Sequence, residues 1–239
     1  MANIETNVIH LGDCVQGLKN LPNECIDLVV SDPPYLLTQR GNAGNSGGML
    51  QKELNKKGKV FEFNSVNIED YLHELYRVLK DGTHCYLMCN HVNLTHFLKV
   101  IDESKFHFIK CLIWQKGNLI MGTKYMNAFE YILFMSKGTN RNVNDCGIPD
   151  ILSVPNIKTK EIGGGNIHDS EKPVRLMEIL ITQSSNKGDI VLDPFIGSGT
   201  TALACINKNR KYIGWEIDPK YHKLCEKRIK NHIVQTELF

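Results

Sequence analysis

The sequence predicts an α/β fold, with a mostly parallel central sheet and helices on both faces. Three features point to it. Ile26 to Val30 is a nearly continuous apolar run, as expected of a strand covered on both sides. Strand-like and helix-like segments alternate along much of the chain. Near residue 193 a short apolar strand runs into Gly197-Ser198-Gly199 and then a helix, a corner that presents backbone N–H groups to a ligand. A chain of 239 residues that is 42% hydrophobic suits one globular domain, 1–239, carrying a small insertion.

Val8 to Leu11 reads as a short strand ending at Gly12-Asp13, and Cys14 to Asn20 as a helix before the turn Leu21-Pro22-Asn23. The run Ile26 to Val30 stops at Ser31-Asp32-Pro33-Pro34-Tyr35. The two prolines cannot donate to a ladder, so these residues belong at the strand's C-terminal mouth. Gln39 to Lys59, rich in Gly, Asn and Lys, reads as a long loop. Ile68 to Leu79 has helical periodicity, with Tyr71, Leu72, Leu75 and Val78 on one face, and Asp81-Gly82 ends it. Thr83 to Cys89 is a strand, Asn93 to Glu103 an amphipathic helix, and Phe108 to Trp114 and Glu130 to Met135 are strands. Ser136 to Asn166 is polar and broken by Gly138, Gly147, Pro149, Pro155 and Gly163-Gly164-Gly165, and reads as an irregular insertion. Lys172 to Ser184 is helical with Pro173 in its first turn. A strand at Ile190 to Leu192, a helix at Ala202 to Asn207, a strand at Tyr212 to Ile217 and a basic helix at Pro219 to Lys230 complete the chain.

Composition narrows the function. The formal net charge is only +2, so any basic surface for nucleic acid must be local. None of the eight cysteines pairs as Cys-x-x-Cys, and several lie in apolar runs, which reads as buried thiols in a reducing compartment. His84, Cys85, Cys89 and His91 cluster, but their spacing matches no usual zinc pattern and no metal is expected. The start Met-Ala-Asn-Ile-Glu-Thr has neither a basic nor an apolar signal region. No apolar run approaches the ~20 residues that cross a bilayer. The expectation is a soluble cytoplasmic protein without a membrane partner.

Two strand ends carry the chemistry. At the first, the Asp32 carboxylate and the Pro33 carbonyl can each accept a hydrogen from an amino group, Pro34 completes the turn, and Tyr35 offers a flat face for a base. At the second, Asp193-Pro194-Phe195-Ile196 precedes Gly197-Ser198-Gly199-Thr200. Glu216 follows the glycines by about twenty residues, where an acid can grip ribose hydroxyls. A third glycine and a Gly-Lys-Ser/Thr sequence are both lacking, which argues against dinucleotides and triphosphate hydrolysis.

Together these motifs resemble the amino-directed DNA methyltransferases, which modify adenine N6 or cytosine N4. The catalytic motif precedes the cofactor motif, as in the permuted β group of that family. Gly12-Asp13, Ile26 to Val30, Phe129 to Leu133 and the stretch from His168 to Pro173 also fall where that group has matching segments. The resemblance implies a Rossmann-like S-adenosylmethionine-dependent methyltransferase fold with circularly permuted motif order. It implies that Asp193, Phe195, Gly197, Ser198, Gly199 and Thr200 form the S-adenosylmethionine site with Glu216 on the ribose, Asp13 near the adenine and Lys172 closing over the cofactor. S-adenosylhomocysteine would be the product. His168-Asp169-Ser170-Glu171 departs from the usual His-Pro-Thr-Gln, so the carry-over is firmer at Lys172 and Pro173.

The implied acceptor is double-stranded DNA, with the target base flipped out and the methyl passed in line to adenine N6. No catalytic cysteine is required. Lys137 to Asn166 occupies the place of the target-recognition region, and Gln39 to Lys59 is the better candidate for phosphate contacts. The basic stretch Asn207 to Lys230 reads first as a solvated helix face. The resemblance leaves room for a homodimer and for a cognate restriction endonuclease acting on the same site. Cytosine N4 methylation, a catalytically silent DNA-binding protein, and methylation of a protein glutamine or an RNA base are the rival readings.

Overall fold

The computed structural model describes residues 4–34, 66–120, 124–139, 141–157 and 171–237. In chain order the elements are β1 (Val8–Leu11), α1 (Cys14–Asn20), β2 (Ile26–Ser31), α2 (Ile68–Val78), β3 (Leu79–Cys89), α3 (Leu94–Asp102), β4 (His107–Ile120), β5 (Asn127–Ser136), β6 (Ile151–Ser153), α4 (Val174–Ser184), β7 (Ile190–Asp193), α5 (Thr200–Asn207), β8 (Lys211–Glu216) and α6 (Pro219–Glu237). The strands form one eight-stranded sheet in the order β1-β8-β7-β2-β3-β5-β4-β6. It is mostly parallel; only β5 runs against its neighbours β3 and β4.

Alternation along the strands separates two apolar layers. Val29, Cys85, Leu87, Leu133 and Leu192 face α1, α2 and α3, while Leu28, Val30, Tyr86, Ile132 and Val191 face α4, α5 and α6. The continuous run in β2 is thus explained: its residues are buried from both sides. Among the described residues no helix is long and apolar enough to cross a membrane.

Local signals place the helix ends. Asp13 caps α1 by accepting from Gln16 N at 2.9 Å. Asn67 N donates to Asp70 Oδ2 at 2.8 Å before α2. Pro173 sits one residue earlier than expected, as the N-cap of α4 rather than inside its first turn. β3 starts at Leu79, not Thr83, because it runs through Gly82 at φ +70 and a register shift against β2. β4 and β5 are longer than their apolar cores and pair with each other antiparallel. Within the expected irregular insertion, β6 pairs in parallel with β4 at Ile113, Trp114 and Gln115. Asn144 Nδ2 ties the same segment to the end of α4 through the carbonyls of Thr182 and Ser185.

Gly17 lies in α1 against the indole of Trp215, and a Cβ there would sit 2.1 Å from Trp215 Nε1. Alanine gains about 1 kcal/mol of helix propensity over glycine. Overpacking a filled core costs about 1–3 kcal/mol, and Trp215 is buried and stiff. Gly17→Ala should therefore lose up to about 2 kcal/mol of stability, read as a lower urea midpoint; a gain would show that Trp215 yields.

Candidate active site

The C-terminal edge of the sheet carries a row of acids. Following the order β1-β8-β7-β2, these are Asp13, Glu216, Asp193 and Asp32, each at or just beyond its strand. From β2 the chain proceeds to β3 on one side, and from β7 to β8 on the other, so the winding reverses between β7 and β2. Open α/β sheets bind ligands outside the strand ends at such a reversal. The two corners singled out in the sequence meet there, with Ser31 Oγ donating to Asp193 Oδ1 at 2.6 Å.

Asp193 is fully engaged by the protein. Phe195 N donates to Oδ1 at 3.1 Å and Thr201 Oγ1 to Oδ2 at 2.6 Å. Its carboxylate thus shapes the turn from within. Gly197 and Gly199 adopt φ +53 and +86. Gly199 has a second reason to lack a side chain, since a Cβ would meet Cys225 Sγ of α6 at 2.6 Å. Phe195 packs edge-on against Tyr71, with ring centroids 5.0 Å apart. Ser198 and Thr200 are buried, and Arg228 Nη1 donates to Ser198 O and Ser198 Oγ, both at 3.1 Å. The same guanidinium pairs with buried Glu171, just before Lys172. Arg228 therefore braces the turn from α6 instead of lying on a solvated face.

Glu216 stands next to the turn at the end of β8, its Oε1 accepting from Asp218 N at 2.8 Å. Burial pushes its carboxyl up, against the amides of Asp218 and Gly197. Gly12 N donates to Glu216 O at 2.9 Å, which places exposed Asp13 one strand further out.

At the other corner Pro33 is buried and Pro34 half-buried, while Tyr35 lies outside the described residues, as do Gln39 to Lys59 and His168 to Ser170. Asp32 Oδ2 accepts from Lys172 Nζ. Asp32 Oδ1 is sealed from solvent and has no donor among the described residues. Burial pushes Asp32 up, and the Lys172 ammonium pulls the other way. Glu130, at the start of β5, lies 3.5 Å from Lys172 Nζ and accepts from Lys116 Nζ at 2.6 Å. Burial would raise Glu130, but these two ammonium groups outweigh it and hold it low. Sequence reasoning assigned Glu130 and Lys116 no role. The alternation apolar–charged–apolar around Glu130 was a usable signal, because a half-buried acid on a strand needs a cation.

Six of the cysteines are buried as expected, whereas Cys111 is half-buried and Cys146 exposed. Burial pushes the Cys14 and Cys89 thiols up to about 12. His84 is engaged by Ser184 Oγ and the Arg141 carbonyl, and packs edge-on against Phe134 on the α4 side of β3, while Cys85 belongs to the opposite layer.

Residues 26–227 match the model of the N6/N4 methyltransferase family, described as DNA methylase. The chain belongs to this family. M.HinfI, a type II methyltransferase of Haemophilus influenzae, is 30% identical to this DNA methylase over 246 residues, 94% of this chain and 68% of that protein. The fold is also that of the M1.HpyAVI–SAM complex, with a TM-score of 0.65 at 22% identity over 92% of this chain and 98% of that one. PvuII DNA methyltransferase, described as cytosine-N4-specific, gives a TM-score of 0.71 at 19% identity over 98% and 93%.

Burial pushes Asp193 up to about 6, against donors that favour the anion. An unfolded aspartate titrates near ~3.9. Between these values the folded chain keeps a proton that the unfolded chain has lost, so this group's contribution to stability falls as pH rises. The difference in unfolding free energy between wild type and Asp193→Asn should shift against wild type by about 3 kcal/mol from roughly pH 4 to 6. Urea unfolding at a series of pH values measures it; a flat difference would show that the buried acid titrates normally.

Proposed function

We propose that this DNA methylase transfers a methyl group from S-adenosylmethionine to the N6 amino group of adenine in a short duplex sequence. The observation that carries the reading is Asp32 Oδ1, an acceptor without a protein donor among the described residues, beside a glycine turn. A sealed carboxylate oxygen is costly unless a ligand donor satisfies it. An exocyclic amino group is such a donor.

The residues present fit the cofactor. The turn 197–200 offers backbone at positive φ and the N-terminal end of α5, which favours a carboxylate. Glu216 would accept from the ribose hydroxyls, with Asp13 near the adenine and Asp193 and Phe195 shaping the turn. When bound, S-adenosylmethionine supplies a methyl group activated by its sulfonium charge, and S-adenosylhomocysteine leaves. Asp32 and the Pro33 carbonyl accept hydrogen bonds from the two amino hydrogens of the target and favour a pyramidal nitrogen, and the proton that the methylated nitrogen must lose passes to the Asp32 carboxylate and on to solvent. Pro34 fixes the turn and Tyr35 supplies the stacking face for the flipped base. Catalysis is positioning and electrostatics, with no covalent intermediate on the protein. Recognition is assigned to 137–166, whose described part, 141–157, is anchored on β4 and α4. Phosphate contacts are assigned to Gln39 to Lys59. The likeness to a type II methyltransferase favours action at a defined site, as in a restriction–modification system.

Incubating duplex DNA with methyl-labelled cofactor and digesting it to nucleosides tests both halves of the reading. N6-methyladenine is the expected product; N4-methylcytosine would keep the mechanism and change the base, and no transfer would remove the proposal. Asp32→Ala should lower kcat about a hundredfold or more. Glu216→Ala should weaken cofactor binding in calorimetry by about tenfold, as expected for about 1.4 kcal/mol of lost ribose contact.

A further inference from the structure

Lys116, Glu130, Lys172 and Asp32 form a row of alternating charge drawn from β4, β5, the entry to α4 and the mouth of β2. The contacts run from Lys116 Nζ to Glu130 Oε1 at 2.6 Å, from Glu130 Oε2 to Lys172 Nζ at 3.5 Å, and from Lys172 Nζ to Asp32 Oδ2. Their side chains are only 7%, 18%, 9% and 20% exposed. The far end is anchored in the core. Lys116 Nζ lies 5.4 Å from the centre of the Trp114 ring, and Trp114 Nε1 donates to Val154 O at 2.8 Å. Buried ion pairs contribute little net stability, since desolvation offsets the attraction, so such a row calls for another explanation.

The explanation lies in the division of labour on one carboxylate. Asp32 Oδ2 is taken by Lys172, whereas Oδ1 has no described donor. A carboxylate held at one oxygen cannot turn the other away. A lysine, however, has a long and flexible stem, and needs a restraint of its own. Glu130 supplies that restraint, and Lys116 restrains Glu130. We infer that Lys172 is a positioning residue for Asp32, held in place by Glu130 and Lys116, so that Oδ1 stays turned toward the amino hydrogen of the target base. This inference rests on the reading of Asp32 as the amino-group acceptor. It moves Lys172 from the cofactor, where the family resemblance put it, to the base.

Among the described residues, the charged and titratable groups facing Asp32 are Lys172, Glu130, Lys116, Asp193 and Cys89. Carboxyl carbon NMR of the full chain labelled at aspartate, with Asp32→Asn identifying the signal, follows Asp32 without any need for turnover. Lys172→Met should raise the Asp32 midpoint by about 1–3 pH units, and Lys172→Arg should leave it near wild type. In transfer assays Lys172→Met should lower kcat about a hundredfold and Glu130→Gln about tenfold, with the calorimetric Kd of S-adenosylmethionine unchanged within about threefold. An unmoved Asp32 midpoint, or a cofactor Kd raised tenfold with kcat kept, would overturn the inference. So would a Glu130→Gln protein that is less stable but turns over normally per folded molecule. If wild type transfers no methyl to DNA, the proposed function fails, while the NMR and calorimetry still decide where Lys172 acts. If Lys172→Met does not fold, Lys172→Gln carries the same comparisons, with the same expected rise in the Asp32 midpoint.

Discussion

Asp193 accepts from Ser31 at the end of β2, from Phe195 at the head of the glycine turn and from Thr201 inside α5. Ser31 is 162 residues away in the chain, whereas Phe195 and Thr201 are neighbours of the acid, which is buried among them. The ladder between β2 and β7 is short, pairing only Leu28 with Val191 and Val29 with Leu192. Backbone pairing alone therefore gives this junction little rigidity. A desolvated carboxylate that loses a donor is left partly unsatisfied, at a cost of about 1–3 kcal/mol or more. The two strand mouths are held together by that penalty, and everything at the site inherits its geometry from them.

The two aspartates illustrate how position in a sheet divides roles. Asp193 and Asp32 both end apolar parallel strands, and burial raises both carboxyls. Asp193 meets hydroxyls and an amide, which satisfy it completely and leave it structural. Asp32 meets a single ammonium on one oxygen, and the other has no donor among the described residues. The same residue type is thus a fastener at one corner and, under the proposed function, an acceptor at the next.

What could be read from the sequence was whatever short stretches of chain determine on their own. The apolar run of β2, the proline turn after Asp32, the glycine bend before α5 and the periodicity of α2 all carry their structural reason within a few residues. The limits of β3, β4 and β5 did not, because pairing with a neighbour extends a strand past its apolar core and absorbs Gly82 as an irregularity. β6 is too short to announce itself and exists through its contact with β4. The site divides in the same way. Asp32 and Gly197 to Thr200 stood out as motifs. Glu130, Lys116 and Arg228 did not, since each is defined by partners from other elements. A lone arginine in a helix of lysines and glutamates looks like its neighbours until the fold turns it inward.

β1 joins the sheet only through β8, with Val8 opposite Ile213 and Leu11 opposite Glu216. The first described strand is thus completed by the last. During synthesis on the ribosome, the N-terminal segment has no docking edge until β8 has emerged, and Asp13 and Glu216 come together only at that moment. The acid row is therefore among the last features to form, and a nascent chain stalled before β8 would carry the proline turn without its full ligand-binding edge.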